Sequence, residues 1–141
     1  MNIEEAIKEV AARALPEMAF CLGTMNEIDE QLDLLEPPFM WVVFPRNGAV
    51  VVHRGRYIER LTALVGFFDL THRDADGEDN ITVYRRMMGK ALAFVDAVNK
   101  SGYFRPLTGD IPMQIMAEVG AANVTGLMLE MEFQEMTGVC L

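Results

Sequence analysis

Leu61-Thr62-Ala63-Leu64-Val65-Gly66-Phe67-Phe68-Asp69-Leu70 is the core of the stretch from Tyr57 to Lys100 around which the chain is organised. Leu61, Ala63, Val65 and Phe67 fall on one face of a strand, and Leu64, Gly66, Phe68 and Leu70 on the other. Both faces are apolar, which predicts a central strand covered on two sides. The polar run Thr71 to Asn80 follows, and its Asp, Asn and Gly residues favour a turn. Asp79 or Asn80 is positioned to cap a helix in which Ile81, Tyr84, Met88, Ala91, Val95 and Val98 line one face. Lys100 and Gly102 supply its stop signals.

Working outward, Ile3, Ala6, Ile7, Val10, Ala11 and Ala14 form the apolar stripe of an amphipathic N-terminal helix that Pro16 ends. Residues 18–22 read equally as a short strand or a continued helical turn. Asn26 to Glu36 is acidic, with Ile28, Leu32 and Leu35 at helical spacing, and Pro37-Pro38 stops it. Phe39 to Phe44 is aromatic and β-branched, as strands require. Pro45-Arg46-Asn47-Gly48 is a turn signal, so Ala49 to His53 is expected to return as the second strand of a hairpin. Arg54-Gly55-Arg56 then turns into the central strand, completing a three-stranded meander. Beyond the long helix, Tyr103 and Phe104 anchor a linker. Ile111, Met113, Ile115, Ala117 and Val119 alternate with polar residues, predicting one buried face, with Pro112 implying a strand start or an edge. In the last strand Leu127, Leu129, Met131 and Phe133 oppose Met128, Glu130, Glu132 and Gln134. The expected fold is α+β, one domain over 1–141: a mostly antiparallel sheet, made of the meander and a C-terminal hairpin, packed with an N-terminal helix and one long central helix.

Composition bounds the function. Hydrophobic residues make up 51% of 141, enough for a substantial core. No apolar run reaches the roughly 20 residues of a membrane helix. The start, Met1-Asn2-Ile3-Glu4-Glu5, lacks the basic and apolar regions of a signal peptide, so synthesis in the cytoplasm is expected. Two cysteines, Cys21 and Cys140, suggest neither a disulfide framework nor a metal knuckle. Net charge is −9 but segregated: −7 up to Pro38, +2 from Phe39 to Phe104, and −4 from Arg105 on. Specific nucleic-acid binding is disfavoured, because phosphate neutralisation needs clustered cations. Arg46, His53, Arg54, Arg56 and Arg60 form a local basic group suited to an acidic protein surface.

No catalytic constellation is evident. Only His53 and His72 are available for a triad, and no Gly-rich phosphate cradle is present. Asp74-Ala75-Asp76-Gly77 resembles the D-x-D-G loop of haloacid-dehalogenase-like phosphatases, where a carboxylate attacks phosphorus beside Mg²⁺. That loop belongs at a strand tip, whereas the apolar run here stops at Leu70. An EF-hand register places Val83 where a bidentate Glu is required. The turn therefore reads as solvated and helix-capping, with no metal or other cofactor expected. Among the eleven methionines, Met116 and Met128 fall on otherwise polar strand faces, which marks them as candidates for contact with a helix or another subunit.

The order helix, acidic segment, three-strand meander, helix, hairpin resembles the small tail-terminator and tail-completion proteins of bacteriophages and prophages. The features that carry the resemblance are Pro38 to Val43, Phe67-Phe68-Asp69 followed by Asp74 to Asp79, the helix with Met87 and Phe94-Val95, and Gly126 to Gly138. The resemblance implies a non-enzymatic virion subunit that forms a ring at the end of a tail tube and contacts tail-tube or head-completion proteins. On that reading Arg46, Arg54 and Arg56 complement Glu130 and Glu132 of a neighbour in a head-to-tail ring, with Met116 and Met128 also at the interface. Two alternatives stay open: a metal-dependent hydrolase centred on Asp74, Asp76 and Asp79, and a cytosolic ligand-binding or adaptor domain with a pocket between the long helix and the sheet near Trp41.

Overall fold

The structure, a computed structural model, describes residues 2–24, 36–43, 47–72, 74–120 and 123–136, and the backbone of 139–140. Helix α1, Ile3–Ala14, begins with a capping box: Asn2 Oδ1 accepts from the Glu5 N–H at 2.8 Å, and Glu5 reaches back to the Asn2 N–H. Its expected stripe is buried at Ile3, Ala6, Ile7, Val10 and Ala11. Pro16 lies just past the end. Residues 18–22, ambiguous in sequence, contribute to strand β1, Ala19–Gly23, which pairs in parallel with β2, Phe39–Val43.

Strand β3, Asn47–His53, leads into β4, Arg56–Leu70. Arg54 and Gly55 both have positive φ, 50° and 76°, as a two-residue turn of the type that matches strand twist requires. Helix α2, Gly77–Lys100, is followed by β5, Met113–Val119, β6, Val124–Gln134, and the short β7, Val139–Cys140. The sheet order is β1-β2-β4-β6-β5, with β3 and β7 also paired to β4. All pairings except β1 with β2 are antiparallel. The fold is α+β, with two helices packed on a mostly antiparallel sheet.

The meander differs from expectation in one connection. β2 pairs with Val65–Phe68 of β4 and β3 with Arg56–Thr62, while β6 takes the opposite edge of β4 over Arg60–Leu70. β2 and β3 therefore lie in tandem along one edge of β4 and form no hairpin with each other. The Pro45-Arg46-Asn47-Gly48 signal misleads because Gly48 is a strand glycine. A Cβ there would come within 2.7 Å of the Arg60 carbonyl oxygen, so the glycine permits close approach of two backbones. Phe44, Pro45 and Arg46 lie outside the described residues, as does most of the acidic segment from Asn26 to Glu36.

β4 is covered on both faces, as its apolar alternation requires. Towards the helices, Met40, Val42, Ala63, Val65, Phe67, Leu127, Leu129, Met131 and Phe133 pack against Tyr84, Met87, Ala91, Phe94 and Val98 of α2 and the stripe of α1. Phe67 and Phe94 sit with ring centroids 5.9 Å apart. On the other face Phe39, Trp41, Val43, Phe68, Val124 and Met128 form a second buried cluster.

α2 starts a turn earlier than its apolar spacing implies. Asp76 is the N-cap, and Asp76 and Asp79 exchange bonds with each other's backbone N–H groups. The fully buried stripe runs through Val83, Tyr84, Met87, Ala91, Phe94 and Val98; Ile81 is exposed, and Met88 and Val95 are half-buried. The stripe is rotated because two layers, α1 and the sheet, both contact this helix. The buried face expected for β5 is also absent. Met113 and Ile115 lie opposite Leu129 and Leu127 on the helix side of the sheet, yet are 44% and 55% exposed, since β5 is an edge strand that α2 covers only in part, Tyr84 Oη lying 3.9 Å from Met113 Sδ.

Candidate functional site

β3 and the start of β4 form a hairpin, and β3 is exposed along nearly all of its length. Val50 and Val52, cross-strand from Glu59 and Tyr57, remain 62% and 61% exposed, and Val51 is exposed on the other face. Arg54 and Arg56 sit at the turn and are exposed. Arg46, expected beside them at the same contact, lies outside the described residues.

The acidic counterpart lies on β6. Glu130 and Glu132 are exposed and share a parity with Met128, so they project from the face away from the helices. A strap of residues 105–112 crosses beside them. It is fastened to β6 at both ends: the Arg105 N–H donates to the Gln134 carbonyl at 2.8 Å, and the Glu130 N–H donates to the Pro112 carbonyl at 2.9 Å. Between strap and strand lies a cleft of about 500 Å³, whose charged lining is Arg60, Arg105, Asp110, Glu130 and Glu132. Arg60 Nε is 3.9 Å from Glu132, and both side chains are largely solvated, so that contact is weak. Asn99 of α2 braces the strap by bonding both backbone groups of Leu107.

The basic turn and the acidic strand do not meet within one chain. Glu132 is cross-strand from Thr62 and Glu130 from Leu64, whereas Arg56 opens β4. Six residues of strand separate Arg56 from Thr62, roughly 20 Å at 3.3 Å per residue. Of the two methionines expected at a contact surface, Met128 is buried in the second cluster, and Met116 packs against it half-buried. Met128 is cross-strand from Gly66, and it is the Phe68 ring, a member of the same cluster, that occupies the space beside that glycine. The partner of Met128 is the chain's own core, which corrects the expectation that it is available to another subunit.

In the acidic turn, Asp76 and Asp79 hold backbone N–H groups at the start of α2, and His72 Nε2 lies 3.2 Å from Asp79 Oδ2. Asp74 is exposed. Among the described residues no group of three or more His, Cys, Asp or Glu side chains is arranged to hold a metal ion. Trp41 is fully buried and belongs to the cluster on the face opposite α2, so the pocket expected between long helix and sheet is not at this residue. Among the described residues its Nε1 has no hydrogen-bond partner.

Sequence reasoning missed Asp110 and Arg105, which sit at no recognisable spacing and reach the cleft only because the strap is pinned at both ends. It also missed the exposure of Val50-Val51-Val52. Their unbroken apolar run, without alternation, resembles a buried strand. No described helix is long and apolar enough to cross a membrane. Compared with known proteins, the chain matches no family model and no curated protein sequence.

Proposed function

We propose that this chain is a non-enzymatic structural subunit that assembles with copies of itself head to tail, in the manner of a phage tail-terminator or tail-completion ring. The carrying observation is the separation of Arg54 and Arg56, at the turn of the β3–β4 hairpin, from Glu130, Glu132 and Asp110 at the cleft beyond the opposite edge of β4. Two complementary patches at different places on one molecule cannot satisfy each other internally. They form a heterologous contact, which closes into a ring when the rotation between copies permits. In that setting the remaining surfaces of the ring are available to tail-tube or head-completion proteins, and the virion is the site of function after synthesis in the host cytoplasm.

The test is mass in solution by light scattering, across protein concentration and salt. A discrete oligomer that weakens as salt rises is expected, because exposed charges are screened beyond roughly 10 Å at 0.1 M. The double variant Arg54→Glu/Arg56→Glu is expected to abolish it, and Glu130→Arg/Glu132→Arg in the second copy to restore it. Unchanged assembly of the Arg-to-Glu variant at low salt would end this reading.

A further inference from the structure

We infer that neighbouring copies join by adding β3 of one to the β5 edge of the next, antiparallel, with Val52 opposite Met113 and Val50 opposite Ile115. This rests on the head-to-tail reading above and specifies its contact. Among the described residues β3 pairs with β4 alone and β5 with β6 alone, so each presents one strand edge. Both strands are seven residues long. Edges are normally blunted by Lys, Pro or a bulge. β3, Asn47-Gly48-Ala49-Val50-Val51-Val52-His53, carries none of these. β5 is regular from Met113 to Met116, and its irregularity comes only between Met116 and Val119.

The register follows from three independent parities. The first is hydrogen bonding along β3. In a two-residue hairpin the pair flanking the turn, His53 and Arg56, exchanges backbone bonds, and bonded pairs recur every second residue. His53, Val51 and Ala49 therefore turn their backbone groups towards β4, and Val52, Val50 and Gly48 turn theirs outward. The second is the same accounting on β5. The Glu130 N–H donates to the Pro112 carbonyl, which fixes Pro112, Gln114 and Met116 as facing β6 and leaves the backbone groups of Met113 and Ile115 facing out. The third is the side-chain face. Val50 and Val52 lie on the helix side of the sheet through Glu59 and Tyr57, and Met113 and Ile115 lie on that side through Leu129 and Leu127. Pairing Val52 with Met113 and Val50 with Ile115 matches outward backbone groups to outward backbone groups and exposed apolar side chains to exposed apolar side chains.

Charge selects the direction. Only the antiparallel arrangement carries the Arg54–Arg56 turn past Met113 to the mouth of the cleft holding Asp110, Glu130 and Glu132, where Arg60 and Arg105 offset the acids only in part. The parallel arrangement would leave the basic turn at the Val119 end.

Two variants test this. Val52→Pro removes an outward N–H while sparing the bonds of β3 to β4, and Val51→Pro removes an inward one as a control for hairpin disruption. Val52→Pro is expected to keep the wild-type circular dichroism spectrum and to lose the oligomer at every concentration where the wild type forms it. With the native Cys21 and Cys140 both replaced by serine, the double variant Val52→Cys/Met113→Cys is expected to give ladders of disulfide-linked copies on mild oxidation, because bonded antiparallel pairs have Cα atoms about 5.5 Å apart, within disulfide reach. In the same background Val52→Cys alone or Met113→Cys alone should give dimers at most. An oligomer that survives Val52→Pro and forms no ladder would overturn the strand pairing while leaving self-assembly intact. A wild-type protein that is monomeric under every condition would overturn both.

Discussion

Replacing Gly126 by alanine should cost this protein about 3 kcal/mol or more, and the structure gives both the reason and the control. Gly126 lies opposite Phe68 where β6 runs beside β4. A Cβ built on it falls inside the envelope of the Phe67 carbonyl oxygen, with the Phe67 carbonyl carbon at 2.8 Å and the Phe68 Cα at 3.0 Å. All three are backbone atoms of the central strand, whose other edge is held by β2, so relief requires the two strands to separate. Overpacking of a core ordinarily costs 1–3 kcal/mol when side chains can adjust. Here none of the obstructing atoms is a side chain, which puts the cost at the top of that range. With an unfolding entropy near 2.1 cal/mol/K per residue, a chain of this length loses about 10 °C of Tm for about 3 kcal/mol.

Two further glycines make the argument falsifiable within one series of thermal melts and urea titrations. At Gly66 the nearest obstruction is the Phe68 ring edge at 2.5 Å, a side chain but a buried one packed near Phe39, so Gly66→Ala should cost about 1–2 kcal/mol. At Gly89, exposed in the middle of α2, an added Cβ meets nothing within 4 Å. Gly89→Ala should therefore stabilise by about 0.5–1 kcal/mol through helix propensity alone. A Gly126→Ala protein melting within about 3 °C of wild type would refute the close approach of β6 to β4 on which both clusters depend.

Asp76→Ala should cost about 1 kcal/mol by chemical denaturation, the usual value of an N-cap, while Asp74→Ala should stay within about 0.5 kcal/mol. If Mg²⁺ instead raised the stability of the wild type and not of Asp76→Ala, the capping account of the acidic turn would fail. Glu59 responds to pH: burial, then the nearby Glu4 and Glu135 carboxylates, hold its pKa above the ordinary value. A raised carboxyl pKa means that the folded chain keeps its proton longer than the unfolded chain. Its contribution is therefore most favourable below about pH 4.3, the ordinary pKa, and declines as pH rises through the raised one. Glu59→Gln should accordingly raise Tm near neutral pH and leave it unchanged at low pH; a gain of equal size at both would exclude titration as the cause.

Much of this fold could be read from sequence because its strongest signals are periodic. The two-sided apolar run of β4, the stripe of α1 and the alternation in β6 each specify which face is buried, and the structure buries those faces. The misreadings occur where periodicity is silent about tertiary reach. Met113 and Ile115 have the alternation of a half-buried strand, but burial needs a second layer, and α2 packs over β4 and β6 before it reaches β5. Pro45-Arg46-Asn47-Gly48 has turn chemistry, but a glycine also serves where two backbones crowd, and nothing local separates the two uses. Likewise Met128 sits in a polar alternation, and only the sheet register, which places it with Phe39, Trp41 and Phe68, reveals that it is core. The cleft was out of reach altogether, since Arg60, Arg105, Asp110 and Glu132 converge through the sheet register and the Asn99 clasp on the strap.

The distribution of charge explains how an open apolar edge is tolerated. With a net charge of −9, two copies repel in most mutual orientations, which acts against indiscriminate pairing of the β3 valines with other strand edges. In the proposed contact that repulsion is relieved, because it sets the +2 region carrying Arg54 and Arg56 against the −4 region carrying Asp110, Glu130 and Glu132. General repulsion thus acts against wrong pairings, and local attraction selects one. In the proposed assembly the apolar strand contact and the charged turn are then two parts of one device. The valines and the backbone edge supply the adhesion, which salt affects little, and the arginines supply direction, which salt removes. A hairpin bearing either part alone would serve poorly: without the arginines the edge would be an aggregation site, and without the edge the solvated ion pairs would be too weak to hold a ring.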